Sequence, residues 1–412
     1  MKYSKGFIHP QKTTGQYDSK SHELLVRAGF IDQVGSGIFT LLTPGKLVMN
    51  KIENAIRRHM NELDAHEIWM PCLQPKANWE KTSRWDSFDV LFKVKSQTDV
   101  EYGLGPSHEE IVTPLAQKMI ESYRDLPFSV YQIATKFRDE VRAKSGILRG
   151  REFGMKDMYS FHTDANDFEA FYKKVIDKYR ELFTELGLAD VKITEAAGGA
   201  FSKKNSHEFN VITDAGEVDL VYCESCDFVQ NEEIFKGKDD VCIHCGKKLL
   251  HSKAIEVGNI FDLGEKFSHD FDLTYTDIAG KKKPVHMGCY GIGTTRLLGT
   301  IVETHYDDFG IVWPINLTPF HVHLVNLSKD PGRADLVHRS LESAGFDVLY
   351  DDRADVSAGE KFAIADLMGI PVRLVVSDRT GDDIELKLRS EDDKAIVPYQ
   401  KVVDILKNLY NF

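Results

Sequence analysis

Arg138 and Arg296 are the residues whose surroundings most clearly suit chemistry. The first lies in Phe137-Arg138-Asp139-Glu140, from which a basic loop leads to Arg151-Glu152-Phe153-Gly154-Met155-Lys156-Asp157. The second closes the stretch Gly288-Cys289-Tyr290-Gly291-Ile292-Gly293-Thr294-Thr295-Arg296. One arginine belongs to a hairpin, the other to a glycine-rich strand-to-helix turn. A guanidinium is planar, permanently charged and able to grip phosphate or carboxylate through two parallel hydrogen bonds. Two of them, joined by Glu140, suit a bent, charged nucleotide triphosphate. Gly291-Ile292-Gly293 invites comparison with a dinucleotide fingerprint, but Arg296 occupies the third glycine position and rules that out. The glycines instead suit a strand passing close beneath substrates and opening a helix whose N-terminus favours anions.

Four cysteines form a second constellation: Cys223-x-x-Cys226 and, after fifteen intervening residues, Cys242-x-x-Cys245. This is the knuckle spacing of a tetrahedral zinc–thiolate site. Four thiolates leave no open position for a substrate, so a zinc ion there would be structural. The bland alternative is two pairs of unligated thiols on a hairpin between about 221 and 250.

These groups need a large scaffold. At 412 residues the chain exceeds one ordinary domain, so two or three units are expected. Hydrophobic residues at 42% and charged residues at 28% are ordinary for a globular protein,. No apolar run of about 18 residues suggests a membrane span, and the opening residues lack the apolar core of a secretory signal. A cytoplasmic location is the expectation. The net charge of −12 argues against indiscriminate nucleic-acid coating,. A local basic face remains: between 138 and 156 six basic residues (138, 142, 144, 149, 151, 156) stand against three acidic ones (139, 140, 152).

A helix is expected over 19–30, a strand over 37–42 closed by a turn at 43–45, and an amphipathic helix over 46–63. A short strand over 68–70 runs into Pro71. Strands over 126–140 and 151–159 form an antiparallel hairpin with a flexible tip at 143–146. Helices follow over 167–186 and 291–304. Two prolines within 313–319 mark a boundary. Beyond it, strand and helix alternate: strands over 322–325, 347–350, 372–376 and 384–388, helices over 335–344, 361–368 and from Tyr399. That alternation implies a small α/β unit with a largely parallel sheet.

In this order the two arginine stretches resemble motifs 2 and 3 of the class II aminoacyl-tRNA synthetases. Three further stretches narrow the resemblance to the bacterial-type prolyl-tRNA synthetase family: Gly105-Pro106-Ser107-His108-Glu109-Glu110, Met155-Lys156-Asp157-Met158-Tyr159-Ser160-Phe161-His162 and Ser206-His207-Glu208-Phe209. The resemblance runs from about Tyr17 to the C-terminus. It implies an α+β catalytic domain over 1–312, a mainly antiparallel sheet flanked by helices. A linker over 313–319 and an α/β anticodon-binding domain over 320–412 would follow, the latter including Tyr350-Asp351-Asp352-Arg353. The residues after Arg353 depart from the family, so no single anticodon contact is carried across. The implied activity is ATP-dependent activation of proline to prolyl-adenylate and transfer to the 3′ end of proline tRNA, as a homodimer through the motif 1 segment ending at Pro71.

The resemblance assigns Arg138 to the α-phosphate and the substrate carboxylate, and Arg296 to the γ-phosphate. Glu140 should accept from the adenine amino group, and Phe153 should stack on the ring. Ser107 and Glu109 take the imino nitrogen of proline, with Phe161, His162, His207 and Cys289 as the remaining wall. Glu208 is assigned to magnesium beside the phosphates, since a hard cation prefers carboxylate oxygen; a surface salt bridge explains it equally well. The attacking carboxylate is already ionised at neutral pH, so no general base is required, and positioning and electrostatics carry the step.

Two departures stand out. The family's usual threonine is Ser107 here, one methyl group less in a pocket where a methyl is worth roughly 1–3 kcal/mol of discrimination. A slightly looser pocket is the expectation. Many bacterial relatives also insert a hydrolytic editing domain between motifs 2 and 3, whereas the matching gap here, about 232–254, is too short to hold one. Two other functions are weighed: a paralogue charging another amino acid or acceptor, and a non-catalytic RNA-binding relative. The second has no need for Arg138, Glu140, Phe153 and Arg296 together.

Overall fold

The computed structural model describes residues 1–11, 15–199, 201–202, 204, 206–237 and 240–410. The chain divides into two compact units, one formed by residues 35–38 and 52–300, the other by residues 1–34, 39–51 and 301 onward.

The first unit is built on a nine-stranded sheet. Its elements are α1 (Thr43–Asn61, whose first residues lie in the other unit), β1 (Ala65–Glu67), α2 (Glu109–Gln117), β2 (Phe128–Phe137), β3 (Glu152–His162), α3 (Ala165–Glu185), β4 (Lys192–Ala196), β5 (Ser206–Ile212), β6 (Val218–Tyr222), β7 (Val229–Asn231), β8 (Leu250–Gly264), β9 (His286–Gly293) and α4 (Thr294–Thr304). Strand order is β5-β4-β7-β6-β8-β9-β3-β2-β1, with β5 also paired to β8. Every pairing is antiparallel except β1 with β2 and β4 with β7. The β2–β3 hairpin holds its register from Phe128 opposite Phe161 to Phe137 opposite Glu152. Its β-branched and aromatic positions pack on the helices. β9 lies against β3 with Cys289 opposite Tyr159 and Gly291 opposite Asp157, and its last residue runs straight into α4.

Three local expectations change. The helix expected from 291 begins at Thr294, because 291–293 still pair with β3 as the end of β9. The segment 43–45 is the first turn of α1, not a turn before it. Pro44 is tolerated there because the first helical residues have no intrahelical N–H partner to lose. Gly45 lies so close to the Phe30 carbonyl that a Cβ would stand 2.2 Å from its oxygen. The strand expected at 68–70 is shifted to Ala65–Glu67. Beyond it only the Ile68 N–H, donating to Tyr131 O (2.8 Å), and the Met70 N–H, donating to Gln132 Oε1 (3.0 Å), continue the edge before Pro71.

The second unit contains β10 (Val322–Asn326), α5 (Pro331–Ser343), β11 (Val348–Asp351), α6 (Ala358–Met368), β12 (Val372–Val376), β13 (Asp383–Leu388), β14 (Lys394–Pro398) and α7 (Tyr399–Tyr410). Its five-stranded sheet has the order β11-β10-β12-β13-β14. Pairs β10–β11 and β10–β12 are parallel, β12–β13 and β13–β14 antiparallel. The sheet is therefore mixed and not largely parallel, because short connections after β12 force hairpins. The N-terminal residues, which the sequence grouped with the catalytic part, pack in this unit. The Tyr350 N–H donates to Met1 O (2.9 Å), Ser4 Oγ donates to Asp352 Oδ2 (2.6 Å), and the Arg353 guanidinium lies 3.9 Å from the Tyr3 ring centroid. Among the described residues no helix is long and apolar enough to cross a membrane.

On the central strand β10, His323 is fully buried and neither ring nitrogen has a hydrogen-bond partner. Burial, the largest cause, pushes its imidazole down to about 4. In an unfolded chain the ring would take up a proton near pH 6.5. Between those values the unfolded state binds a proton that the folded state refuses, so stability falls as pH drops from about 6.5 toward 4, by about 3 kcal/mol in all. We expect His323→Leu to shrink the loss of Tm between pH 7 and pH 5; an unchanged loss would assign the acid sensitivity elsewhere.

Candidate active site

Arg138 follows directly on β2, and its N–H donates to Arg151 O (2.9 Å), one rung past the hairpin ladder. This rung aims its side chain across the sheet, where the guanidinium carbon lies 5.3 Å from the Phe153 ring centroid. Its Nε is buried without a partner. Arg296, in the first turn of α4, is tethered by Nε donating to Leu148 O (2.8 Å) and Nη1 donating to Glu256 O (2.9 Å). Both arginines line one cleft of about 200 Å³, together with Glu140, Arg149, Phe153, Glu256 and Asn259. The Arg138 guanidinium is pushed below its ordinary range, first by desolvation and then by Arg296. Two like charges held together in a partly desolvated cleft favour an anion between them.

Glu140 is held at the cleft edge by Arg149, whose Nε (3.0 Å) and Nη2 (2.7 Å) donate to its Oε2. Arg149 Nη1 donates onward to Glu217 Oε2 (2.6 Å). The main-chain carbonyl of Glu140 accepts from Arg151 Nε (3.0 Å). The basic loop thus folds back on the acid that the sequence singled out, an arrangement its charge count alone does not disclose.

The other end of the cleft is lined by Ser107, Asp157, Phe201 and Cys289. Ser107 Oγ donates to Glu109, which is fully buried one bond behind the cleft wall. Burial, and after it the Glu109 charge, pushes the Cys289 thiol well up, so it stays protonated. Beneath this end runs a buried polar chain. Asp157 is ion-paired with Lys136 (2.8 Å) and accepts from Gln132 (3.1 Å) and Tyr159 (2.9 Å). Lys136 Nζ also donates to His108 Nδ1 (2.8 Å), and His108 Nε2 reaches the Pro71 carbonyl at 3.2 Å. An ammonium has no acceptor and a carbonyl no donor, so the ring carries its single proton on Nε2. Its pKa, pushed down to about 4 by burial and then Lys136, agrees. The His108 N–H donates to Tyr159 Oη (2.9 Å), and Gln74 Nε2 donates to Ser107 O (2.8 Å). Side chains far apart in sequence therefore fix the 105–109 loop.

The remaining residues singled out from the sequence lie off the cleft surface. Phe161 is core, stacked on Phe128 at 4.8 Å. His162 and His207 do not reach the cleft, because alternation along β3 and β5 turns them toward α3. His162 bonds Asp167 (2.9 Å) and Ser160 (2.9 Å), and His207 bonds the Tyr172 hydroxyl (2.8 Å). The parity of β3 carries that signal: 153, 155 and 157 face the cleft, so 162 cannot. Glu208 sits behind Asn259, whose amide donates to it at 3.3 Å. Burial and then Glu256 push its carboxyl up to about 8.

On the hairpin between β6 and β8 the four cysteines converge, all four sulfur atoms lying within 4.8 Å of one another. The closest pairs, Cys223–Cys245 and Cys226–Cys242, are 3.5 Å apart and are free thiols. The Ser225 N–H points at Cys223 Sγ (3.4 Å). Thiolates bonding zinc at about 2.3 Å in a tetrahedron stand a little under 4 Å apart, so this set fits that ion.

The tRNA synthetase class II core domain (G, H, P, S and T) matches residues 92–305, and an anticodon-binding domain matches residues 321–409. A proline–tRNA ligase from Wolbachia sp. subsp. Drosophila simulans is 38% identical over 386 residues, covering 90% of each chain. The chain belongs to the proline–tRNA ligase family. The proline–tRNA ligase of Acidithiobacillus ferrooxidans is 31% identical over 535 residues, covering 92% of this chain and 94% of its own. That span exceeds the 412 residues here, so the Acidithiobacillus ligase carries a long stretch this one lacks. The fold agrees with two solved structures. Prolyl-tRNA synthetase from Cryptosporidium parvum, complexed with L-proline and AMP, has a TM-score of 0.76 at 18% identity, over 95% of this chain and 74% of its own. The Giardia lamblia enzyme in complex with prolyl-adenylate has a TM-score of 0.77 at 19% identity, over 96% and 82%. As a proline–tRNA ligase, the chain activates proline with ATP and charges proline tRNA.

Proposed function

We propose that Arg138 and Arg296 are the catalytic pair of this ligase. Arg138 bridges the α-phosphate and the proline carboxylate, and Arg296 holds the γ-phosphate so that the triphosphate folds back. A proline carboxylate oxygen attacks the α-phosphorus, the bond to the bridging oxygen breaks, and pyrophosphate leaves with that electron pair. No proton moves in this step, so the side chains contribute charge and alignment only. The observation that carries the reading is that both guanidinium groups line one cleft, half-relieved of solvent and mutually repelling.

In the same reading Phe153 stacks on adenine and Glu140 accepts from its amino group. Ser107, backed by Glu109 and flanked by Cys289, receives the imino nitrogen. Magnesium, which class II synthetases use with ATP, would be held by Glu208 and Glu256 and would offset phosphate charge. The fit lies in two neighbouring carboxyls, one of them pushed up to about 8 with Glu256 a cause, which a divalent cation would relieve,. Zinc held by Cys223, Cys226, Cys242 and Cys245 would pin the hairpin. Arg142, Lys144 and Arg151 offer tRNA a basic loop. We place the catalytic domain in the unit of residues 35–38 and 52–300 and the anticodon-binding domain over 320–412, in a cytoplasmic homodimer joined through the segment around Pro71. The exposed Trp69 supports that surface,.

Pyrophosphate exchange into ATP, run over all twenty amino acids, tests the activity. Proline should dominate and alanine should give a weak signal, and a chain indifferent to proline would overturn the reading. The short 232–254 segment leaves no room for an editing domain, so added alanyl proline-tRNA should persist as long as in buffer. Rapid deacylation would refute that expectation. Protein prepared without added zinc should carry about one equivalent of the metal per chain; a metal-free, fully folded preparation would leave the cysteines as thiols.

A further inference from the structure

Between α2 and the cleft lies a buried arginine that the steps above do not use. Arg84 is 3% exposed, and its Nη1 bonds Glu110 Oε1 at 2.8 Å and stands 3.6 Å from Glu109 Oε2. Its guanidinium is caged by the rings of Phe88 (4.6 Å), Phe201 (4.9 Å), Trp79 (5.3 Å) and Phe267 (5.5 Å), of which Phe201 also lines the cleft. Nε and Nη2 find no partner, nor does Glu110 Oε2. An ion pair this dry is poor value as a fold stabiliser, since desolvating the charges offsets most of their attraction.

Its geometry fits another task. Glu109 accepts the Ser107 proton, and Ser107 is the hydroxyl that faces the cleft. A hydroxyl has one proton and two lone pairs. While Glu109 is ionised it can only accept, so the serine proton is committed inward and the lone pairs face the cleft. The protonated imino nitrogen of proline has two N–H donors and needs such acceptors. A protonated Glu109 would instead donate to Ser107, turning the serine proton into the cleft, where it opposes the substrate's N–H groups. We propose that Arg84 is a positioning residue for the imino acid, holding Glu109 as a pure acceptor so that Ser107 offers its lone pairs to the substrate. This rests on the reading that Ser107 and Glu109 receive the imino group.

The electrostatics around the pair agree. Burial pushes Glu110 up to about 7, Arg84 opposes this, and Glu109 adds to it. Lys266 and Asp270 face the cluster from the helix Lys266–Asp270, Cys289 from β9, Arg138 from the end of β2, Tyr159 from β3 and His108 from the loop itself. Arg84 is thus the group that opposes protonation of Glu110, and its removal would favour that protonation further,.

Arg84→Gln and Arg84→Lys are compared with the parent chain by proline-dependent pyrophosphate exchange from pH 6.5 to 8.5. For Arg84→Gln, KM for proline should climb as pH falls, approaching about tenfold per pH unit. KM for ATP should stay within about twofold, because no nucleotide contact changes. Lysine keeps the charge but not the fork, so Arg84→Lys should show the same trend with a smaller slope. A pH-independent KM for proline, or equal rises for proline and ATP, would overturn the proposal. If Arg84→Gln does not fold, the Arg84→Lys profile decides, and a parent-like profile would sink the idea. Ser107→Ala and Glu109→Gln separate the layers. If both leave KM for proline unchanged, the subsite reading itself fails. If both raise it while the Arg84 variants stay flat, only the role of Arg84 fails.

Discussion

Arg138→Ala should cut proline-dependent pyrophosphate exchange by about 10³-fold or more, the scale seen when a transition-state phosphate loses its arginine. In its proposed role Arg138 serves both anions, so its loss should lower kcat and raise KM for proline and for ATP together. Arg296→Ala should fall by a comparable factor, but with the rise concentrated in KM for ATP, since only the distal phosphate is released. Lysine at either position keeps a charge without the bidentate fork and should recover only part of the activity. Thermal melting separates chemistry from folding. Arg138 Nε has no partner to strand, so Arg138→Ala should melt near the parent. Arg296 anchors Leu148 O and Glu256 O, so its removal should also loosen the loop. An Arg138→Ala enzyme within tenfold of the parent would mean that the cleft does not perform the activation.

The second large effect concerns stability. Lys136 is fully buried and serves both Asp157 (2.8 Å) and His108 (2.8 Å). Lys136→Met fits the volume but leaves a buried carboxylate and an imidazole nitrogen without their cation. Breaking a buried pair by removing one partner costs about 3–5 kcal/mol, because the surviving charge is stranded. The Tm should fall by on the order of 10 °C. KM for proline should rise as well, since His108 holds the loop that carries Ser107. Adding Asp157→Asn removes the stranded charge, so the double variant should lose less than the two single losses combined. Strict additivity would show that the two groups are not coupled.

The two arginines proposed to act together stand out in the chain because their surroundings are local. A hairpin with one arginine and a glycine-rich turn with another are each spelled within ten residues, and the fold had only to bring them together. Ser107, Glu140 and Phe153 were legible for the same reason. Arg84, Lys136 and Glu256 were not, because their partners come from other elements and nothing beside them in the chain marks a charge as buried. His162 and His207 were misjudged by face, which strand parity would have corrected. In the second unit the strand Lys394–Pro398 escaped notice because charged residues crowd its start, and with it the hairpins that make the sheet mixed.

Gly154 lies so close under α4 that a Cβ there would stand 2.4 Å from Thr294 Oγ1. The absence of a side chain on the hairpin strand therefore sets how far the helix bearing Arg296 can approach Arg138. In the proposed reading, nucleotide fit is tuned by a spacer as well as by charge. A methyl group at that spot would widen the jaw while leaving every charged contact chemically intact.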